Sequence, residues 1–503
     1  MGKKPNVLFI MTDQQRADTI ASLGNSHIHT PNLDRLARRG ISFSKAYSNC
    51  PVCVPARYVI RTGREPSTIG IYSNSAPQLR ESQPEKMEDR CGPYLARSMK
   101  KMGYRTFGIG KFHSSPWNED LGYDVHIHSE EMYGSQKQRE MDGFASFIAK
   151  EHPEFDYVET LMGERTEMYY MPQMSPQPAE STVESWAADR AVEQIKKDDE
   201  QPYFGLVSFI GPHPPLAPPL PFNRMYDPDR MPNPEKGTKE IDEMDEQIGW
   251  MNHAVFAEEI NNPHARMLKS RYYGEISFID QCLGKILDAV DASEDPDNTV
   301  ICFFADHGDH MGDHGGWQKE SFFDASCRIP FLVSWPNKLP SETISQELVS
   351  LVDLFGIATE AAGAPETRDG INVFKMLEGG EAPREYLSGL YEAPGSRLFK
   401  IMVRDKDWKY IFMANGGREQ LFNMTQDPNE KQQLINENPE VAKLMRDRAV
   451  SILKESGLQK ALDGDSLKKF PFSPRKLQRI YQFDSSRGVT GFPEKPEDAL
   501  ASL

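Results

Sequence analysis

The chain has 503 residues, 38% hydrophobic and 26% charged, which allows one large core with an appendage. Its net charge of −17, from 75 acidic against 58 basic side chains, argues against nucleic acid as a partner, and no apolar run reaches the length that spans a membrane. Six cysteines in a chain this long do not make a disulfide framework, and any anionic substrate has to be held by a local cationic pocket working against the overall field.

The opening Met-Gly-Lys-Lys-Pro leads straight into "NVLFIM" with no signal-peptide h-region, and Asn6 stands where a myristoylation signal needs Ser or Thr. The expectation is a cytoplasmic protein if this N-terminus is native, and a periplasmic or secreted one if a leader has been removed. "NVLFIM" (Asn6 to Met11) predicts a buried strand. In "PNLDRLARRGISFSKAY", Leu33, Leu36 and Ala37 have helical spacing and Gly40 is a stop. "YSNCPVCVPARYVIRTGR" follows with Cys50 and Cys53 spaced C-x-x-C. A zinc site would want a second pair, and Cys91, Cys282, Cys302 and Cys327 are scattered singly; a thioredoxin-like motif would not continue with a proline at 55. "CGPYLARSMKKMG" predicts a helix, "YRTFGIG" a strand, and "STVESWAADRAVEQIKK" a helix opened by a capping box, Ser181 to Glu184, that runs on into the strand "YFGLVSFI". "SRYYGEISFIDQCLGKILDAV" predicts a long amphipathic helix before the strands "TVICFFA" and "IPFLVSW".

This alternation predicts an α/β domain over 1–387, built on a large, mainly parallel or mixed sheet flanked by helices. From about Ser388 short antiparallel strands and the closing helix "NPEVAKLMRDRAVSILKES" predict a small α+β subdomain over 388–463. The aromatic tail, 464–503, is expected to pack on the main domain or on a neighbouring subunit, which would make it a route to an oligomer.

Ligands of open α/β sheets bind beyond the carboxyl ends of the strands. There the sequence places Asp13 and Gln14, then Lys111 and His113, then His213, then Asp306, His307, Asp309 and His310 with Lys319. Asp13, Gln14 and Asp306 offer hard oxygen ligands suited to Ca²⁺ or Mg²⁺, and His307 adds a nitrogen. Lys111 and Lys319 are two cations for an oxyanion, and His113 and His213 can exchange protons near neutral pH. Metal, lysines and histidines together point to sulfuryl or phosphoryl transfer, with the nucleophile still to be found.

Cys53-Val54-Pro55-Ala56-Arg57 resembles the C-x-P-x-R signature of the type I sulfatases of the alkaline phosphatase superfamily, with Ala56 where Ser is usual. "NVLFIMTDQQR", "GYRTFGIGKFH", "FIGPHPPLAPP" and "FFADHGDHMGDHGGWQKESFFDASCRIPFLV" look like further blocks of that family in family order, and "LFNMTQDPNEKQQL" like its C-terminal subdomain. The resemblance implies that a sulfatase-maturing enzyme oxidises Cys53 to Cα-formylglycine. It implies a Ca²⁺ site (Mg²⁺ or Mn²⁺ as alternatives) made by Asp13, Gln14, Asp306, His307 and the modified Cys53. Many members carry Asp where this chain has Gln14, so the site has one negative charge fewer. Arg57 would hold the aldehyde hydrate, Lys111 and Lys319 the sulfate oxygens, His213 the bridging oxygen, and His113 would serve the recycling step.

On that reading one hydroxyl of the gem-diol attacks sulfur, and His213 or Lys319 protonates the leaving alcohol. His113 then deprotonates the second hydroxyl to expel sulfate. The substrate expected is a sulfated saccharide taken at a chain end. A choline or aryl sulfate, or a phosphonate or phosphate diester, is the alternative. A non-catalytic sulfoglycan-binding protein with unmodified Cys53 is the alternative of a different class. Asn74, His310 and His314 are candidate substrate contacts by nearness in sequence to the motifs. The inserts at 125–180 and 217–265 carry no family pattern.

Overall fold

β1 (Asn6–Thr12) is apolar at nearly every position, so it has to be covered on both faces. In the computed structural model it is. Val7, Phe9 and Met11 enter one core with Val59 and Ile60, while Leu8 and Ile10 enter a second core with Leu33 and Leu36. The structure describes residues 3–74, 87–130, 136–155, 170, 172–197, 200–256 and 260–474.

The main sheet has eight strands: β1, β2 (Ile41–Tyr47), β3 (Arg105–Gly110), β4 (Val125–His128), β5 (Tyr203–Ser208), β6 (Thr299–Ala305), β7 (Phe331–Ser334) and β8 (Thr343–Ser350). Their spatial order is β4-β3-β5-β1-β6-β7-β2-β8. β1 pairs in parallel with both β5 and β6, and β3 in parallel with β5, so β3, β5, β1 and β6 end at one edge. β7 runs antiparallel to β6 and β2, which makes the sheet mixed.

Helices cover both faces. α1 (Pro31–Arg38) and the helices Val183–Ile195 and Asn262–Asp291 lie on the Leu8 side, and α2 (Cys53–Thr62) with Asp353–Ala361 on the Phe9 side. The capping box expected at Ser181 to Glu184 does not form. Thr182 is the N-cap, accepting from the Ser185 amide, while the Glu184 carboxylate is drawn inward to the Gly211 amide at 3.2 Å. Among the described residues no helix is long and apolar enough to cross a membrane.

Near the expected change of texture at Ser388, β9 (Tyr386–Tyr391) opens a four-stranded antiparallel sheet with β10 (Lys400–Asp405), β11 (Trp408–Met413) and β12 (Arg418–Asn423). Ala442, Met445, Ala449 and Leu453 of the helix Pro439–Glu455 cover one face. Met402, Ile411, Met413 and Phe422 on the other face pack on Val52, Phe322 and Phe323 of the main domain. Two buried lysines fasten the join: Lys400 Nζ donates to the Glu320 carbonyl at 2.9 Å and Lys409 Nζ to the Phe322 carbonyl at 2.9 Å. The small sheet thus backs the segment that begins at Lys319. The start of the tail pairs with this subdomain, Phe470 exchanging backbone hydrogen bonds with Ala414 and Gly416. The rest of the tail, 475–503, lies outside the described residues.

Candidate active site

The four adjoining strand ends bring their polar residues together. Asp13 and Gln14 follow β1, Lys111 follows β3, His213 lies beyond β5, and Asp306 and His307 follow β6. Gly110 makes the approach of β3 feasible: its φ is +94°, and a Cβ there would sit 2.1 Å from the Ser208 carbonyl oxygen. Gln14 takes a left-handed turn at φ 69°, which turns its amide onto Asp306 Oδ1 at 3.1 Å and its carbonyl onto the Tyr272 hydroxyl at 2.7 Å.

Cys53 is the first residue of α2. No side chain of the capping residue Val52 serves the helix start; instead Asn74 Oδ1 accepts from the Val54 amide at 3.0 Å. Asn74, expected at the substrate, braces the turn that holds Cys53. The Cys53 sulfur lies 2.9 Å from Lys319 Nζ, 3.3 Å from His307 Nε2 and 3.7 Å from Asp13 Oδ1. Cys50 takes no part. It is a free thiol that donates to the Tyr72 carbonyl, so the C-x-x-C is not a disulfide, and among the described residues Cys50 joins no metal-ligand cluster.

One turn along α2, Arg57 ties the strand ends together. Its guanidinium donates to Asp13 Oδ2 at 2.8 Å and to the Ser208 hydroxyl at 2.9 Å, and its Nε stands 3.2 Å from Asp306 Oδ2. Lys111 Nζ reaches Asp13 Oδ2 at 2.8 Å. Asp13, Gln14, Cys53, Lys111, Asp306 and His307 are all 0% exposed, so these charges act on one another with little water between them. Burial alone would raise the Asp13 carboxyl, but Lys111, His213, Lys319 and Arg57 hold it well below the usual carboxylate range. Burial and then Asp13 raise Asp306 to about 6. Burial and Asp13 also push the Cys53 thiol up, and Lys319, Lys111 and His307 outweigh them and hold it well below its usual range.

The donor set fits a divalent cation. Ligand atoms of Asp13, Cys53, Asp306 and His307 all lie within 4.8 Å of one another. His307 Nδ1 faces the Gly308 carbonyl at 3.0 Å, so in the neutral ring the proton sits there and the Nε2 lone pair is turned toward the carboxylates. Asp306 Oδ2 is buried without a hydrogen bond among the described residues.

His213 donates Nδ1–H to the Pro214 carbonyl at 2.8 Å and lies close enough to Asp13 to lower its pKa. His113 has a left-handed backbone, φ 49°, held by Glu130, whose carboxylate accepts the Phe112 and His113 amides. His113 Nδ1 is buried without a partner among the described residues. The structure does not bring His310 and His314 to the cluster. His310 is enclosed between the Asp313 carbonyl and the Ser321 hydroxyl, and burial lowers it to about 3; His314 bonds Asp242 and stacks on Phe323. Sequence reasoning missed Ser208, Glu130 and Tyr170. Ser208 ends β5, so the strand-end argument could have found it; Tyr170 lies in an insert with no readable pattern.

Residues 5–364 match the family described as sulfatase, and residues 312–455 match the one described as N-sulphoglucosamine sulphohydrolase, C-terminal. The chain belongs to the sulfatase family. Its chemistry is therefore that of a sulfuric ester hydrolase. It is 28% identical to an arylsulfatase of Clostridium perfringens, over 94% of this chain and 99% of the relative. It is 28% identical to a choline-sulfatase of Rhizobium meliloti, over 87% and 83% of the two chains. In fold, this sulfatase superposes on a phosphonate monoester hydrolase of Agrobacterium radiobacter with a TM-score of 0.74 at 22% identity, covering 90% and 96% of the two chains.

The loop that carries His213 rests on a pair of buried acids. A Cβ at Gly211 would meet Glu275 Oε1 at 3.2 Å and Glu184 Oε1 at 3.3 Å. Burial raises the Glu184 carboxyl from 4.5 to about 7, and burial together with Glu184 raises Glu275 well above its ordinary value. The folded sulfatase keeps protons that the unfolded chain releases near 4.5, so the stability they give is present below that pH and is lost as pH rises through about 7. Glu275→Gln removes part of that loss. Between about pH 6 and about pH 8 its melting temperature should fall less than the parent's, by on the order of a few degrees; equal falls would contradict the buried-acid account.

Proposed function

We propose that the enzyme hydrolyses sulfate monoesters through a formylglycine made from Cys53, and that its substrate is a sulfated saccharide attacked at a chain end. The observation that carries the reading is the setting of Cys53: its sulfur stands between Lys319 Nζ at 2.9 Å and His307 Nε2 at 3.3 Å, beside Asp13. A thiol kept for packing has no need of an ammonium group and a carboxylate in contact.

A divalent cation held by Asp13, Gln14, Asp306, His307 and residue 53 would supply positive charge that holds and acidifies a hydroxyl, and the hydrated aldehyde would supply a second hydroxyl as an exit route. The chain's own residues do the rest. Lys319 and Lys111 bind the sulfate oxygens and carry their charge in a dry site. Arg57 fixes Asp13 and Asp306 and keeps the residue at 53 on the ligand side. His213 gives a proton to the departing alcohol oxygen, and Lys319 is the second donor in reach. His113 takes a proton in the recycling step, its backbone held in the turn that Glu130 braces.

A saccharide is supported by the C-terminal match to an N-sulphoglucosamine sulphohydrolase and by the acidic surface, which disfavours long contact with a polyanion. The test is a screen of the matured protein against defined sulfated sugars, an aryl sulfate, choline sulfate and an aryl phosphonate. Release of sulfate from a terminal sugar at the highest kcat/KM is the expected result. Preference for choline or aryl sulfate would overturn the saccharide assignment, and preference for the phosphonate would overturn the sulfate ester itself.

A further inference from the structure

Gln14 stands in the cluster as a neutral amide, and its surroundings sort the two ends of that amide. Nε2 donates to Asp309 Oδ2 and, at 3.2 Å, to the Tyr170 hydroxyl. The Tyr170 hydroxyl in turn donates its proton to Asp309 Oδ2, which leaves its lone pair for Gln14. The other Asp309 oxygen is taken by the amides of Met311 at 2.8 Å and Gln318 at 3.2 Å. Gln14 Oε1 accepts from Lys319 Nζ at 2.8 Å, the same ammonium that touches the Cys53 sulfur. An inverted amide would set Oε1 against a buried carboxylate and NH₂ against an ammonium group, so the orientation is fixed by charge at both ends.

We propose that Asp309 and Tyr170 are a positioning pair that keeps the Gln14 oxygen facing the Asp13–Cys53–Asp306–His307 cluster. Asp309 also supplies, one hydrogen bond further out, the negative charge that an amide ligand lacks. This rests on the reading of that cluster as a cation site. Groups that orient and polarise a ligand from behind typically change metal affinity by roughly 10–100-fold. Tyr170 is the residue of the 125–180 insert that enters this arrangement.

Calorimetric titration of the chelator-stripped full chain with Ca²⁺, and then with Mg²⁺ and Mn²⁺, tests the pair. Asp309→Asn should weaken Ca²⁺ binding by roughly 10–100-fold and Tyr170→Phe by less. The double variant Gln14→Glu with Asp309→Asn exchanges which partner is charged and should regain most of the lost affinity. A purely structural role would lower the melting temperature of the metal-free protein and leave affinity unchanged. Parent affinity in both single variants, or a double variant no tighter than Asp309→Asn, overturns the proposal. Tyr170→Phe removes a single oxygen and decides the matter if Asp309→Asn does not fold. A parent that binds none of the three ions removes the cation reading and this proposal with it, whereas a parent that binds while the variants bind equally removes only the positioning pair.

Discussion

Cys53→Ala, made alongside a maturing enzyme, should lose on the order of 10⁴-fold or more in kcat against any ester the parent cleaves, with its fold unchanged. Residue 53 is the nucleophile in this account, and no neighbour can replace it. Lys319, His307, Asp13 and Gln14 around it are already paired with one another, and Ser208, the nearby hydroxyl, is spent on Arg57. The substitution removes one sulfur from a buried setting, and Ala keeps α2 helical. Circular dichroism should match the parent. Residual activity within about tenfold of the parent would mean that another group attacks the ester.

Lys319→Met should lower kcat by on the order of 10²–10³-fold and change KM far less. Lys319 is 4% exposed, and its ammonium group touches both the Cys53 sulfur and the Gln14 oxygen; in the proposed mechanism that places it where charge develops on sulfate. Met fills nearly the same volume, which keeps the packing while removing the charge and the donor to Gln14 Oε1. Lys111 also contacts Asp13 Oδ2 at 2.8 Å, so its loss should disturb Asp13 as well. A Lys319→Met enzyme with parent kcat and a raised KM would assign this lysine to ground-state binding alone.

The candidate site was legible because the fold forces strand ends together. Asp13, Lys111, His213 and Asp306 are scattered over nearly three hundred positions of the sequence, yet each follows an apolar run too continuous to be anything but an interior strand. The pattern could not say which strands neighbour which. The order β3-β5-β1-β6 follows from parallel crossovers and packing on both faces. Nearness in sequence did not carry the His310 and His314 rings to the Cys53 cluster, since both are bonded elsewhere. They belong to the same loop as Asp306, but the turn through Gly312, Gly315 and Gly316 carries them toward Ser321 and Asp242. The capping box at Ser181 failed for a related reason: the pattern fits Glu184, but a buried amide at Gly211 competes for its carboxylate. Tyr170 and Glu130 act through contacts that no local spacing encodes.

The most direct test of the central claim is the mass of the tryptic peptide Ala46–Arg57 from active protein. Conversion of the Cys53 thiol to the aldehyde predicts a loss of about eighteen mass units, in a fraction of molecules that rises in step with sulfatase activity. Full activity in protein whose peptide retains the unmodified thiol would contradict the account.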